Sequence, residues 1–297
     1  MRGGRPGGMR ERLEELLGER VADVHDLGTR HAWSLHRVVL GEGREVFVKA
    51  LEGDTGGPEG VFAAEAAGLR WLGEAGSGVP VPEVVAADER TLVLPWLPSE
   101  PPTADAAERF GRALAAMHAG APGAFGAPWD GYIADLPLDN TPDETADGRS
   151  WPRWYAQRRL EPFLRLGARH LSGTEIRLIE KVIEDIEELA GPPEPPARIH
   201  GDLWSGNVHW TGGGATLIDP AAHGGHRETD LAMLALFGCP ALERVLAAYD
   251  EVFPLADGRH ERVPLHQLHP LLVHVALFGG SYSASAAEAA RAALALR

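Results

Sequence analysis

His200-Gly201-Asp202-Leu203-Trp204-Ser205-Gly206-Asn207 sets a carboxylate five residues ahead of a side-chain amide. That is the spacing of a phosphoryl-transfer loop, in which the acid accepts a hydroxyl proton and orients its oxygen. The amide oxygen then holds a metal ion against the nucleotide phosphates. Asp, Asn and glycine also build ordinary turns, so the octapeptide alone leaves both readings open.

Downstream, Leu217-Ile218-Asp219-Pro220 ends an apolar strand in a second acid, suited to be a second metal ligand. Upstream, Val46-Phe47-Val48-Lys49 ends another apolar strand in a lysine able to reach phosphates, and Glu65 on the following helix can hold it by an ion pair. A lone strand lysine or helix glutamate is usually solvated. Their order ahead of the acidic loop is what gives the pair its meaning. Between candidate strands, residues 26–34 could cover the nucleotide, with Gly28 and Thr29 offering backbone N–H groups and Thr29 and Ser34 offering hydroxyls. That segment has one glycine, matches neither Gly-x-Gly-x-x-Gly nor a Walker A loop, and reads equally as a plain hairpin.

Working outward, residues 35–40 and 45–49 form β-rich runs around the turn Gly41-Glu42-Gly43. A glycine-rich gap at 53–60 precedes an amphipathic helix over 60–73, where Phe62, Ala66 and Leu69 recur at helical spacing. Residues 79–82 lead into a strand and 91–94 make another, before Pro95, Pro98, Pro101 and Pro102 break regular structure. Thr103 then caps a helix running to about His118, with further helices over 151–166 and 174–189. Short strands at 197–199, 208–210 and 215–218 flank the acidic loop, and the remainder is mostly helical. A β-rich front and a helical back predict an α+β chain of two lobes, residues 1–97 and 98–297, with the site in the cleft between them.

Net charge is −15, which excludes non-specific binding to a nucleic-acid backbone and is compatible with amine-bearing substrates. The single cysteine, Cys239, rules out an internal disulfide framework and reads as a packed thiol. His200, His209, His223 and His226 lack a compact ligand spacing such as His-Glu-x-x-His. The first eight residues, basic and glycine-rich with no apolar stretch behind them, read as a floppy terminus rather than a secretory signal. No run approaches the roughly 18 apolar residues of a membrane span, so the expected location is the cytoplasm, with no membrane partner. Nothing in the sequence indicates the oligomeric state.

These motifs together resemble the fructosamine (ketosamine) kinases, relatives in fold of aminoglycoside phosphotransferases and protein kinases. The resemblance is carried by HGDLWSGN at 200–207, Ile218-Asp219-Pro220-Ala221, Gly225-His226-Arg227-Glu228-x-Asp230-Leu231-Ala232-Met233, Tyr132-Ile133, Trp154-Tyr155 and Leu236-Phe237-Gly238. It implies a two-lobed, protein-kinase-like fold and ATP- and Mg2+-dependent phosphorylation of a ketosamine or glycated amine, at the 3-hydroxyl. Kinases of aminoglycosides, choline or homoserine are the alternatives. It makes Asp202 the catalytic base, Asn207 and Asp219 the magnesium ligands, and Lys49 with Glu65 the phosphate-binding pair. Trp204, His226 and Glu228 would line the substrate side, although His226, Arg227 and Glu228 could equally form a structural ion-pair cluster. Asp230 would buttress the loop through backbone N–H groups. Pro95 replaces an acidic residue common where the lobes join, so adenine would be read by the backbone of Trp96 and Leu97 or by the Leu94 carbonyl.

Overall fold

The computed structural model describes residues 6–51, 57–143, 145 and 147–295. It opens with helix α1 (Pro6–Leu17) and strands β1 (Val21–Arg30), β2 (Trp33–Leu40) and β3 (Glu45–Leu51). Helix α2 (Val61–Gly73) and strands β4 (Ala86–Ala87) and β5 (Thr91–Pro95) complete the first lobe. Its sheet is antiparallel throughout, in the order β1-β2-β3-β5-β4.

Strand alternation decides which way Lys49 points, because successive side chains leave opposite faces. Val46 and Val48 pack outward with Val38, Val93 and Leu13 of α1. Phe47 and Leu51 belong to the opposite face, which packs on α2 through Phe62 and Leu69. Lys49 shares that face and so meets the helix carrying Glu65.

Helix α1 corrects the expectation of a floppy start for residues 6–8, while residues 1–5 lie outside the described residues. Met9, Leu13, Leu16 and Leu17 sit at helical spacing and close the outer face of the sheet, with Leu13 fully buried. Half of the glycine-rich gap, residues 53–56, lies outside the described residues.

The second lobe begins at α3 (Ala104–Ala119), whose cap Thr103 accepts a hydrogen bond from the Ala106 N–H at 3.1 Å. Then come the hairpin β6 (Gly131–Ile133) and β7 (Leu136–Leu138), helices α4 (Trp151–Tyr155) and α5 (Glu161–Gly167) joined by a π-helical turn at Ala156–Leu160, and α6 (Gly173–Glu184) and α7 (Ile186–Leu189). Strand β8 (Ala197–Ile199) pairs with β11 (His223–Gly225), and β9 (Val208–Thr211) pairs with β10 (Gly214–Leu217). Helices α8 (Arg227–Leu236), α9 (Leu242–Val252), α10 (Arg259–Phe278) and α11 (Ser283–Leu294) finish the chain. One core gathers α3 and α9 under β9 and β10; a second gathers α4 to α7 against α10 and α11. No described helix is long and apolar enough to cross a membrane.

Several contacts tie the lobes and the segment that joins them, among them the Leu217 N–H donating to Pro80 O at 2.9 Å and Arg198 Nη1 donating to Trp71 O. The Glu100 N–H donates to Trp210 O at 2.8 Å, and His209 Nε2 donates to Leu97 O at 2.9 Å. Across the cleft, the Tyr132 hydroxyl donates to Glu59 O at 2.6 Å.

Helices α3 and α9 lie so close that a Cβ at Gly111 would come 2.2 Å from Val245 O, a backbone atom that cannot step aside. Gly111→Ala should therefore part the helices and destabilise the protein by about 1–3 kcal/mol, the usual range for overpacking. Chemical denaturation checks this, and an unchanged midpoint would contradict the close packing.

Candidate active site

The loop between β8 and β9 is shaped by what its backbone requires. Gly201 has φ +82°, and a Cβ there would meet Ala221 O at 2.2 Å, so glycine is needed both for the turn and for the close approach. Asp230 on α8 receives the His200 N–H at 2.7 Å and the Gly201 N–H at 3.0 Å. Its carboxylate is fixed in turn by His118 at 3.1 Å, which bonds the Tyr249 hydroxyl at 2.9 Å. Buried contacts with His118 and His200, added to these donors, hold Asp230 ionised, below its ordinary pKa, despite burial. It serves the buttressing role expected from the sequence.

Asn207 closes the loop. Its Nδ2 donates to Asp202 O at 2.8 Å and to Asp202 Oδ2 at 3.1 Å, which turns its Oδ1 outward as a free acceptor. The Ile218 N–H donates to Asn207 O at 3.1 Å, so the next acid follows directly. Asp219 sits in the left-handed region at φ 58°, a conformation that costs a non-glycine residue energy and clusters at functional sites. Its half-exposed carboxylate meets Lys49 Nζ at 2.5 Å. Lys49, only 5% exposed, also donates to Glu65 Oε1 at 2.8 Å and Oε2 at 2.9 Å. Burial alone would lower the lysine pKa, but the two carboxylates outweigh it and raise it, so the ammonium stays charged.

Asp202 has no cation of its own. Burial and the neighbouring Asp219 push its pKa up to about 7, against the pull of the Asn207 amide. Lys49, Glu65, Asp202 and Asp219 together carry three acids against one base. With the free oxygens of Asn207 and Asp219, that is a hard-oxygen donor set short of positive charge, and it suits Mg2+.

These groups line one cleft of about 530 Å³, together with Trp96, Leu97 and Trp204. The structure therefore brings together Lys49, Glu65, Trp96, Leu97, Asp202, Trp204, Asn207 and Asp219. It does not bring four others. Gly28 and Thr29 are exposed in β1 and lie outside the cleft wall, where Leu27, Arg30 and His31 stand instead. A bulge between Asp26 and Gly28 shifts the register, and the tight turn at His31 (φ 52°) delivers the hairpin tip.

His226 and Glu228 are also placed elsewhere. They are 3% and 5% exposed, under α8 and away from the cleft. Arg262 donates to both Glu228 oxygens, at 2.6 and 3.0 Å, and His226 lies 4.6 Å from the Trp151 ring and 4.7 Å from His266. His226 caps α8 by accepting the Glu228 N–H at Nδ1, 3.2 Å away. Ligand atoms of His226, Glu228 and His266 fall within 4.8 Å of one another. The Glu228 carboxylate is bound to Arg262, His226 Nδ1 accepts an N–H, and His266 Nδ1 meets the Thr229 hydroxyl at 3.0 Å. The buried His266 Nε2 lies 3.4 Å from Glu228 Oε2 without a hydrogen bond, so the trio is a packed polar cluster. It seats the helix that carries Asp230, which is the structural alternative the sequence left open.

At the hinge, the Trp96 N–H donates to Glu45 O at 3.2 Å, which corrects its expected use for adenine. By strand register Leu94 faces Phe47 in the equivalent hydrogen-bonded pair, so its carbonyl is occupied too. The Leu97 N–H remains. Sequence reasoning missed Trp33, whose ring lies 5.9 Å from Lys49 Nζ, and the wall built by Trp129, Tyr132 and Asn140. Arg159 in the π-helical turn donates to Asn140 Oδ1 at 2.8 Å and fixes that amide. The aromatic run Trp129-x-Gly131-Tyr132 was the available signal.

A lysine–glutamate pair across two elements of a β-rich lobe, facing an Asp–Asn loop and a second Asp, defines a phosphotransferase of the protein-kinase-like fold with an alcohol acceptor. The fold is shared with a macrolide 2'-phosphotransferase at a TM-score of 0.62 and 17% identity, covering 97% of this chain and 98% of that one. A fructosamine kinase family profile matches residues 10–295. A crystal structure from Thermobifida fusca assigned as a fructosamine-3-kinase is 55% identical with a TM-score of 0.91, covering 96% of this chain and 98% of that one. A Thermus thermophilus protein assigned as a ketoamine kinase is 36% identical over 225 residues, 76% of this chain and 79% of its own. The chain belongs to the fructosamine kinase family.

The elevated pKa of Asp202 is directly observable. In nucleotide-free protein, 13C NMR of labelled aspartates should show one carboxyl titrating near 7, absent in Asp202→Asn. Below that pH the Asp202 carboxyl should be mostly protonated. A set of aspartates all titrating near the ordinary value of about 4 would contradict the geometry described.

Proposed function

We propose that the chain transfers the γ-phosphoryl group of ATP to a hydroxyl of a ketosamine, the 3-hydroxyl of the sugar. The observation that carries this reading is the Asp202–Asn207–Asp219–Lys49 constellation in one cleft, with the Trp204 indole beside the base. Asp202 accepts the hydroxyl proton as the new O–P bond forms and the bond to the ADP oxygen breaks. Lys49, held charged by Glu65 and Asp219, faces the phosphates, and Glu65 keeps it from following them. Asn207 and Asp219 would hold Mg2+, which supplies charge neutralisation on the transferred group. The Leu97 N–H is the donor for the adenine edge, and residues 96–98 are where the two lobes meet.

Trp204 offers a flat face to the C–H surface of a sugar and a π-system to its protonated amine, a contact worth about 0.5–2 kcal/mol. Phosphorylation beside the amine-bearing carbons makes the sugar–amine linkage labile, so the reaction serves deglycation or the metabolism of Amadori-type compounds. A reducing cytoplasm suits a chain whose Cys239 is free.

ADP release with fructosyl-glycine, and with an aminoglycoside as control, tests the reading. Asp202→Asn should lower kcat at least about a hundredfold, the low end of what a positioned base contributes. Trp204→Ala should raise the ketosamine KM several-fold with a smaller change for ATP, and Trp204→Phe should lose less. Near-normal turnover by folded Asp202→Asn, or preference for the aminoglycoside, would sink it.

A further inference from the structure

Trp204 marks the point where the cleft gives way to an aromatic surface. Its indole lies flat over Gly206, where a Cβ would come within 2.2 Å of the ring. From there aromatic side chains follow one another outward. Trp204 meets Phe237 edge-on at 6.5 Å, Phe237 lies 4.8 Å from His274, and His274 lies 4.8 Å from Tyr282 and 5.4 Å from Phe278. Phe237 closes α8, His274 and Phe278 stand one turn apart on α10, and Tyr282 follows in the short turn before α11.

The exposure along this line is unusual. Phe237 is 37% and Phe278 56% exposed, and both belong to one contiguous group rather than being scattered singly. The histidine of the group is uncharged. His274 Nδ1 donates to Pro270 O at 2.7 Å, which leaves Nε2 as an acceptor, and burial lowers the ring's pKa. The surface therefore presents aromatic faces with two neutral polar groups, the His274 ring nitrogen and the Tyr282 hydroxyl, continuous through Trp204 with the wall of the active site.

The chemistry of the acceptor substrate says what would lie there. The amine of a ketosamine is on C1, two carbons from the 3-hydroxyl. With that hydroxyl at Asp202 and the sugar on the Trp204 face, as proposed above, the amine nitrogen would come beside the indole and a large substituent would extend toward Phe237. Resting on the ketosamine reading above, we propose that Phe237, His274, Phe278 and Tyr282 form an outer subsite for the amine substituent. It would favour ketosamines of aromatic or large apolar amines over those of small ones. An aromatic contact is worth about two- to tenfold in affinity, so the preference should be of that order.

The test compares kcat/KM for fructosyl-phenylalanine and fructosyl-glycine with the full chain. The wild-type ratio should exceed about threefold, and Phe278→Ala, a change at an exposed side chain, should bring it close to one. Val252→Ala, an exposed apolar position on α9 outside the aromatic group, should leave the ratio as it is. A wild-type ratio near one overturns the subsite, as does a ratio that Phe278→Ala does not change. Sedimentation showing a dimer that Phe278→Asp dissociates overturns it too, because a second copy then covers the face. Turnover of fructosyl-glycine separates the two levels of inference: without it the ketosamine reading falls and takes the subsite with it, whereas normal turnover without selectivity removes the subsite alone.

Discussion

Everything in the site is referred to one buried ammonium. Lys49 leaves the inner face of β3, touches Glu65 on α2 within its own lobe, and reaches Asp219 beyond β10 in the other. Removing one partner of such a buried pair typically costs about 3–5 kcal/mol, because the remaining charge has no water to turn to. The triad therefore sets where α2 sits relative to the helical lobe. Tyr132, donating to the carbonyl of Glu59 just ahead of α2, holds the same helix from the opposite wall. Closing the cleft and placing the lysine are thus one structural event.

The position of Asp202 depends on a second chain of contacts that runs entirely through the helical lobe. Tyr249 on α9 fixes His118 on α3, His118 fixes Asp230 on α8, and Asp230 holds the two N–H groups ahead of Asp202. The Arg262–Glu228–His226 cluster anchors the start of α8, so residues well away from the cleft decide where the loop lies. The loop is held by helices, and burial together with Asp219 raises the Asp202 pKa.

What could be read from the sequence was whatever is local. The Asp–Asn spacing of the loop, the alternation that turns Lys49 inward and the helical period of α2 are each contained in a few residues. Helix α1 was legible too, from Met9, Leu13, Leu16 and Leu17, but the glycines before it drew the reading toward disorder. His226 and Glu228 were misplaced because nearness along the chain to the acidic loop does not say which side of α8 a residue occupies. Arg262, thirty-four residues later, settles that. The Trp96 N–H was misassigned because its partner, Glu45, is reached only once β5 has paired with β3. Walls made of Trp129, Tyr132 and Asn140 come from a hairpin whose position is set by tertiary packing, which no local pattern encodes.

The most direct test is calorimetric titration of ATP into folded wild-type, Lys49→Ala and Asp219→Ala proteins, with and without Mg2+. If the buried triad assembles the nucleotide site, both variants should lose at least about tenfold in MgATP affinity, or 1.4 kcal/mol. Asp219→Ala should also lose most of the dependence on magnesium. Unchanged affinity together with unchanged magnesium dependence would mean that Lys49 and Asp219 only hold the lobes together.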